Sequence, residues 1–251
     1  MSKLSCLTQP TLPLSSSRLP DCTFANKGAS CSGKSTLTNW LADVTDGKVI
    51  HQDQFYKADG DIPMVDGVAD WDCVGAINMP KFIHTLQQAK TTKGFKSVLG
   101  SNRPALDNSE VSSTLLRQLR IQAKKAMTIA RCSLVFVDGF LLFSDPDAFS
   151  EFDSGFFLKA SFNTLLQRRN ARDPYVTTEG LWEDPPGYFE DIVWPAYLAN
   201  NSKVLDGTIA QLNPKFAAAL TVVDTDSFTI ETNLSKSVDV LCEMLAKRVL
   251  E

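Results

Sequence analysis

Short apolar runs alternate with amphipathic segments along this chain, and the alternation predicts an α/β protein. Four apolar runs are interpreted as buried strands: residues 47–53, 133–143, 155–161 and 220–226. Apolar residues at helical spacing flank and separate them: at 34–43, from 78 onwards, at 112–131, from 164 onwards, at 188–200 and at the end of the chain. This order predicts a sheet of about five parallel strands with helices on both faces.

The length favours a single globular domain. The chain has 251 residues, which is an ordinary size for one α/β domain. The first part is rich in Ser, Pro and Leu, so we expect a disordered tail at residues 1–22 and one domain over residues 23–251. The polar, breaker-rich stretch 91–111 is interpreted as a surface excursion.

Composition and charge exclude several classes of protein. Hydrophobic residues make up 43% and charged residues 22%, which excludes a wholly disordered chain and a coiled coil. A net charge of −4 does not indicate a nucleic-acid or anionic-membrane partner. No apolar run approaches the length of a membrane-spanning helix. Two histidines and six scattered cysteines argue against a zinc site and favour a reducing compartment. A reducing compartment indicates the cytoplasm, with the nucleus as an additional location, and we expect a monomer.

One motif carries a specific chemistry. Residues 28–35 fit the pattern G-x-x-x-x-G-K-[ST] at every fixed position, and a further threonine follows. Glycines let backbone N–H groups converge on phosphate oxygens, Lys34 reaches the β- and γ-phosphates, and the Ser35 hydroxyl is a ligand for Mg²⁺. The predicted ATP-binding loop comprises Gly28, Ala29, Ser30, Cys31, Ser32, Gly33, Lys34, Ser35 and Thr36.

The segment before this loop does not match the pattern of a central strand. In this class of protein the loop follows a buried strand, but residues 19–27 contain Pro20 near the start and end in Asn26 and Lys27. We therefore expect a missing or damaged strand, which would impair nucleotide binding. A misassigned coding start or exon junction before Gly28 is one hypothesis for this change in pattern.

Two carboxylates are expected beside the phosphate loop. Asp138 and Asp53 each end a predicted strand. The carboxyl ends of parallel strands open into one crevice, so both should converge with Lys34. Asp138 is the candidate metal-shell carboxylate, and Asp53 is the candidate general base for a substrate hydroxyl. His51 is interpreted as structural.

Two further groups suit phosphoryl transfer to a flat, hydroxylated substrate. An indole beside an acid, at Trp71 and Asp72, can stack on a flat cationic ring and accept hydrogen bonds from ribose hydroxyls. Arg168, Arg169 and Arg172 precede a loop and could form an arginine-bearing lid at about residues 170–187.

The motifs, in this order, resemble the nicotinamide riboside kinase family, and most closely its longer fungal form. They are GASCSGKST, QDQFYK, WDCVGAINM, VFVDGFLLF, QRRNARDPY and EDPPGYFEDIVWPAY, and the resemblance covers about residues 28–250. It implies a P-loop kinase fold with a lid. It also implies ATP- and Mg²⁺-dependent phosphorylation of the 5′-hydroxyl of nicotinamide riboside, which gives nicotinamide mononucleotide for NAD biosynthesis.

The resemblance also implies roles for individual residues. Asp53 matches the proton acceptor and a magnesium-site aspartate, and Asp138 stands where animal members have a glutamate. Arg168 and Arg172 match arginines on the ATP side, and the loop around Ser227 and Phe228 should approach the adenine. The implied substrate-binding residues are Asp53, Tyr56, Trp71, Asp72, Arg169 and Tyr175; the implied metal-site residues are Ser35, Asp53 and Asp138; the implied catalytic residues are Asp53 and Lys34.

Other functions stay open at this point. A related kinase could use uridine, cytidine or pantothenate as the acceptor. A non-catalytic scaffold that has lost ATP binding would explain the damaged strand, although it would not need Lys34, Ser35, Asp53 and Asp138 together. A GTPase switch is disfavoured because the chain has no N-K-x-D motif and Asp138 does not begin a D-x-x-G motif.

Overall fold

A sheet of five parallel strands forms the centre of the protein. The computed structural model describes residues 21–92, 94–99, 105–107, 109–177 and 180–250. The strands of the sheet are β1 (Cys22–Gly28), β2 (Lys48–His51), β5 (Leu134–Gly139), β6 (Ser154–Lys159) and β9 (Leu220–Asp224). Their order across the sheet is β2-β5-β1-β6-β9, and every pair is parallel. The predicted fold class, a parallel sheet of about five strands flanked by helices, is confirmed.

Helices connect the strands and cover the sheet. They are α1 (Lys34–Thr45), α2 (Met79–Thr91), α3 (Ser113–Ala130), α4 (Pro146–Ser150), α5 (Phe162–Asn170), α6 (Trp194–Leu205), α7 (Ile209–Leu212), α8 (Pro214–Ala219) and α9 (Ile230–Leu250). Local sequence explains where several helices begin, because a polar side chain accepts a backbone hydrogen bond from the first turn. The capping residues are Asn78 for α2, Ser112 for α3, Asp145 for α4 and Ser161 for α5. A π-helical segment (Phe189–Val193) precedes α6, and Pro195 lies in the first turn of α6, where proline is tolerated.

Alternate side chains of the strands enter cores on opposite faces of the sheet. On one face, Phe24 of β1 and Phe136 of β5 pack with α1, α3 and α9, and their ring centroids are 5.8 Å apart. On the other face, Ala25 and Val137 pack with α2 and α4. Full burial of one large apolar side chain contributes about 1.5–3 kcal/mol, so these two layers stabilise the sheet. No helix within the described residues combines the length and the apolar character needed to cross a membrane.

The expectation of a missing or damaged strand before the phosphate loop is wrong. β1 lies between β5 and β6, and all seven of its residues are buried. Cys22 already belongs to the strand, and most of the predicted tail lies outside the described residues. Neighbouring strands determine this conformation more strongly than local propensity does. The polar residue Asn26 is accommodated because its Nδ2 donates to Thr38 Oγ1 at 2.7 Å.

Other boundaries differ from the predictions because turns interrupt apolar runs. β5 ends at Gly139 and not at residue 143, since the chain then leaves the sheet and the Leu141 N–H donates to Gln52 Oε1 at 3.0 Å. Short antiparallel hairpins also lie in the polar segments 57–70 and 175–187. These are β3 (Met64–Val65) with β4 (Val68–Ala69), and β7 (Tyr175–Val176) with β8 (Leu181–Trp182). A strand of two residues is too short to show the alternation of apolar and polar residues by which strands are recognised in a sequence.

Lys27 is a buried cation without a hydrogen-bond partner among the described residues. Its side chain is fully buried, and Nζ lies 4.8 Å from the centroid of the Phe143 ring. Burial, together with the nearby charge of Lys34, lowers the pKa of Lys27 to about 7. The ring offsets only part of the lost hydration, so this lysine destabilises the fold at neutral pH.

Replacing this lysine with an isosteric apolar residue should stabilise the protein. The unfolded lysine binds its proton up to about pH 10.4, whereas the folded one releases it near pH 7. The penalty is therefore complete below pH 7, shrinks as the pH rises towards 10, and disappears above that value. We expect Lys27→Met to raise the free energy of unfolding by on the order of 4 kcal/mol at pH 6.5 and by clearly less at pH 9.5, as measured by urea denaturation.

Lys159→Met is the matched control, since Lys159 is an exposed lysine on the neighbouring strand β6. This variant should change stability little at either pH. Equal changes in the free energy of unfolding for the two variants would contradict the conclusion that burial of Lys27 destabilises the fold. A gain in stability for Lys27→Met that is the same at both pH values would contradict it too.

Candidate active site

The phosphate loop has the backbone geometry that its sequence predicts. Cys31 and Gly33 have positive φ angles of 62° and 88°, and α1 begins at Lys34. Lys34 Nζ donates to the Ala29 carbonyl oxygen at 2.7 Å, so the lysine side chain folds back over the loop. A helix N-terminus at the end of such a loop is suited to binding an anion.

Gly28 is required by close packing. A Cβ at this position would lie 2.3 Å from the carbonyl oxygen of Leu158 on β6 and 2.8 Å from Ser32 Oγ. The first distance is to the backbone of an adjacent central strand, which cannot move aside without disturbing the sheet. The glycine therefore lets the loop start directly against β6.

Asp138 joins the end of β5 to the phosphate loop. Its Oδ2 accepts from Ser35 Oγ at 2.5 Å and from His51 Nδ1 at 2.8 Å. His51 is the residue directly opposite Asp138 in the β2–β5 pairing. The predicted convergence of Asp53, Asp138 and Lys34 is observed, because all three line one cavity.

Asp53 lies in the short 3-10 turn Gln52–Phe55 that follows β2. Its side chain is partly exposed to the cavity but closely surrounded by protein. Loss of hydration, together with the charge of Asp138, raises its pKa to about 6, although Lys34 and His51 oppose the shift. A carboxylate with such a pKa is ionised at neutral pH and is still a better proton acceptor than an ordinary aspartate.

Aromatic side chains form the wall of this cavity, whose volume is about 280 Å³. Tyr56 packs edge-on against Trp71 with centroids 5.4 Å apart, and Trp182 of β8 packs on Trp71 at 5.8 Å. Tyr175 lies directly opposite Trp182 in the β7–β8 hairpin. The predicted aromatic residues Tyr56, Trp71 and Tyr175 are thus brought together, and Trp182 joins them.

A buried cluster of charges lies beside the aromatic wall. Arg169 forms a bidentate ion pair with Asp184 and lies 3.6 Å from an oxygen of Asp72. Burial alone would lower the pKa of Arg169, but its two acidic partners raise it, so this arginine is a permanent cation. Burial raises the pKa of Asp72, and Arg169 counteracts that effect. The cluster holds Asp72 at the edge of the cavity as a hydrogen-bond acceptor.

The three arginines of the predicted lid point to different places. Arg168 donates to the Thr225 carbonyl oxygen at 2.9 Å and lines a second, larger cavity. Arg172 lies over the Tyr175 ring, 3.3 Å from its centroid, and also lines the larger cavity. Arg169 faces the aromatic cavity instead. Arg168 and Arg169 are consecutive residues of α5 and so project about 100° apart around the helix, whereas Arg172 lies after the helix ends.

The larger cavity, of about 930 Å³, runs along the phosphate loop and the start of α1. Phe228 and Thr229, which follow β9, also line it. Both cavities are lined by Lys34, Ser35 and Asp53. A ligand in the larger cavity and one in the aromatic cavity would therefore meet at these three residues.

Several residues of the site carry no signal that a single sequence reveals. Trp182, Asp184 and Tyr188 lie within or next to the motif EDPPGYF, which marks the family resemblance without indicating their roles. The Tyr188 hydroxyl donates to the Ala69 carbonyl oxygen at 3.1 Å and accepts from the Trp71 N–H at 3.0 Å. Asp59 accepts from Thr177 Oγ1 at 2.8 Å, which connects the two hairpin-bearing loops. These contacts exist only in the folded chain.

The oxygen groups around Ser35 fit a magnesium ion that arrives with a nucleotide. The described residues contain no group of three or more His, Cys, Asp or Glu side chains arranged to hold a metal alone. Ser35, Asp53 and Asp138 nevertheless line the same cavity and offer hard oxygen ligands, which Mg²⁺ prefers. The Ser35 proton is directed to Asp138, so the lone pairs of its Oγ are free for a cation.

The parallel sheet, the phosphate loop on its central strand and the carboxylates at its carboxyl edge define a P-loop kinase fold. A nicotinamide riboside kinase from Schizosaccharomyces pombe is 37% identical over 223 residues, which cover 83% of this chain and 94% of that protein. One from Saccharomyces cerevisiae is 28% identical, over 89% and 95% of the two chains. This chain belongs to the nicotinamide riboside kinase family.

The remaining comparisons add little. No protein-family model matches the chain. Among solved structures, a sugar kinase from Janibacter sp. is 17% identical over 88% of this chain and 95% of its own, with a TM-score of 0.40. A likeness at this level carries no argument, so the fold assignment rests on the sheet topology and the phosphate loop.

The close contact at Gly28 leads to a testable expectation. Gly28→Ala should destabilise the protein by about 1–3 kcal/mol, because the new methyl group overlaps the backbone of β6. It should also weaken binding of an ATP analogue, because the loop must move. Thermal unfolding and isothermal titration calorimetry measure the two effects.

Gly60→Ala is the control, since a Cβ at Gly60 meets no atom within 4 Å. That substitution should leave both quantities nearly unchanged. If Gly28→Ala and Gly60→Ala change stability and ATP-analogue binding equally little, the loop does not lie as close to β6 as the structure shows.

Proposed function

We propose that this protein transfers the γ-phosphoryl group of ATP to the 5′-hydroxyl of nicotinamide riboside, which yields ADP and nicotinamide mononucleotide for NAD biosynthesis. The observation that carries the proposal is the junction of the two cavities at Lys34, Ser35 and Asp53. A donor in the larger cavity and an acceptor in the aromatic cavity would be aligned for in-line transfer there. The names of the related proteins support nicotinamide riboside as the acceptor.

Residues of this chain account for each part of the reaction. Asp53 accepts the proton of the 5′-hydroxyl while that oxygen attacks the γ-phosphorus and the bond to the ADP oxygen breaks. Lys34, with Arg168 and Arg172, stabilises the negative charge of the phosphates. The remaining loop residues, from Gly28 to Thr36, enclose the phosphates. Ser35, Asp53 and Asp138 would hold Mg²⁺ together with ATP, and the bound ion would supply positive charge at the transferring phosphoryl group.

The aromatic cavity suits a nicotinamide nucleoside. A pyridinium ring is flat and cationic, and aromatic faces and carboxylates attract such a ring. Trp71 and Tyr175 provide the ring contacts, with Tyr56 as support, while Asp72 accepts hydrogen bonds from the ribose hydroxyls and Arg169 holds Asp72 in place. We also propose that the segment of about residues 170–187 acts as a lid. A monomeric state and a cytoplasmic location stay predictions.

The alternatives receive less support. Uridine and cytidine are neutral and would leave the carboxylates near the aromatic rings without a cationic partner. The scaffold hypothesis depended on a damaged strand before the phosphate loop, and β1 is a complete central strand.

A coupled assay of ADP release with ATP and Mg²⁺ tests the proposal. The acceptors compared side by side are nicotinamide riboside, uridine, cytidine and pantothenate. We expect the highest kcat/KM for nicotinamide riboside, and Asp53→Asn should lower kcat by about 10²–10⁴-fold through the loss of the base. Asp61→Asn, on an exposed nearby turn, should retain activity. A higher kcat/KM for another acceptor would reassign the substrate, and no turnover with any acceptor would favour the scaffold.

Asp53→Asn should stabilise the protein although it lowers kcat. Because the pKa of Asp53 is about 6 in the folded protein and near 3.9 when unfolded, its negative charge disfavours folding at neutral pH. That cost is present above pH 6 and decreases as the pH falls towards 4. Asp53→Asn should therefore raise the Tm at pH 8 more than at pH 5, as measured by differential scanning fluorimetry. A lower Tm at pH 8 would show that Asp53 supports the fold.

A further inference from the structure

A histidine that only filled space at position 51 would add little to the stability of the fold. It is buried on β2, and its Nδ1 lies 2.8 Å from Asp138 Oδ2. Its Nε2 is also buried and has no hydrogen-bond partner among the described residues. An unpaired buried ring nitrogen costs free energy that an apolar residue of similar size would avoid, so the contact with Asp138 requires an explanation.

That contact determines the orientation of the Asp138 carboxylate. An ionised carboxylate accepts hydrogen bonds and donates none, so His51 Nδ1 carries the proton. Ser35 Oγ donates to the same oxygen at 2.5 Å, and the other oxygen, Oδ1, is buried without a partner among the described residues. His51 and Ser35 together therefore fix the position of Oδ2 between β2 and the phosphate loop.

The orientation of Asp138 in turn determines that of the Ser35 hydroxyl. A hydroxyl that directs its proton at Asp138 presents its lone pairs elsewhere, and Ser35 lines both cavities. His51, Asp138 and Ser35 thus form a continuous chain of hydrogen bonds from the buried edge of β2 to the phosphate loop.

We propose that His51 is a positioning residue for the metal–nucleotide site, which acts by holding Asp138 so that the Ser35 hydroxyl is oriented to receive the cation of the nucleotide. This inference rests on the proposed function, because it assumes that ATP binds with Mg²⁺. His51 itself touches neither the nucleotide nor the reacting atoms. Outer hydrogen-bond partners of this kind commonly change metal affinity by about 10–100-fold when they are removed.

Three substitutions of His51 separate positioning from simple packing. Asparagine places an N–H donor near the position of Nδ1, glutamine places one near the position of Nε2, and leucine fills the space without a donor. We expect His51→Gln and His51→Leu to raise the Mg²⁺ concentration at half-maximal activity about tenfold. His51→Asn should stay within about twofold of the unsubstituted protein. His84→Gln, at the exposed second histidine, is the control.

Calorimetry provides a readout that does not depend on catalysis. Titration with a non-hydrolysable ATP analogue, with and without Mg²⁺, should show a loss of affinity in the Gln and Leu variants only when Mg²⁺ is present. Unchanged affinities in all three variants would overturn the proposal. Equal losses in all three variants, or a failure of all three to fold by circular dichroism, would show that the ring is structural.

The two histidines also allow a spectroscopic test. In a two-dimensional NMR spectrum of the imidazole groups, the His51 signals should shift when Mg²⁺ is added to the analogue complex, and the His84 signals should not. Absence of a His51 response would overturn the proposal. If nicotinamide riboside is not phosphorylated but the Mg²⁺-dependent binding follows the expected order, the proposed function fails and the role of His51 stands.

Discussion

The parallel pairing of β1 with β5 and β6 is the constraint on which the site depends. It places Gly28 against the backbone of Leu158 and puts the phosphate loop at the same edge of the sheet as Asp138. β2, on the far side of β5, ends at His51 and delivers Asp53 to that edge. Residues that are more than 80 positions apart in the chain thereby share one crevice. A shift of register by one residue would move Asp138 to the opposite face of the sheet.

The distribution of buried charge reflects a compromise between stability and chemistry. Arg169 is compensated by Asp72 and Asp184, so this ion-pair cluster places an acceptor without leaving an isolated charge. Asp53 is less well compensated, since burial and Asp138 raise its pKa, and that same feature makes it suitable as a base. Lys27 differs from both, because its Nζ has no hydrogen-bond partner in the described part of the chain and it takes no part in the proposed reaction.

Much of the site could be predicted from the sequence because its elements are local. The phosphate loop is a contiguous motif, Asp138 lies near the end of a strand with a readable apolar run, and Asp53 follows another such strand. The position of β1 could not be predicted in this way. Its Asn26 and Lys27 lower the apparent strand propensity, but the hydrogen bonds and packing from two neighbouring strands outweigh that preference. Trp182 escaped detection because strands of two residues show no alternation, and Asp184 did because its ion pair with Arg169 exists only in the folded chain.

The sequence by itself determined the α/β class, the phosphate loop and the family, since these depend on periodicity and on contiguous motifs. The tertiary structure alone decided which side chains act together. It separated Arg169 from Arg168 and Arg172, and it added Trp182 to the aromatic wall. It also connected His51 to Ser35 through Asp138. The physical reason is that hydrogen bonds and ring contacts depend on distances of a few ångströms between distant segments, and only the packing of the sheet and helices determines those distances.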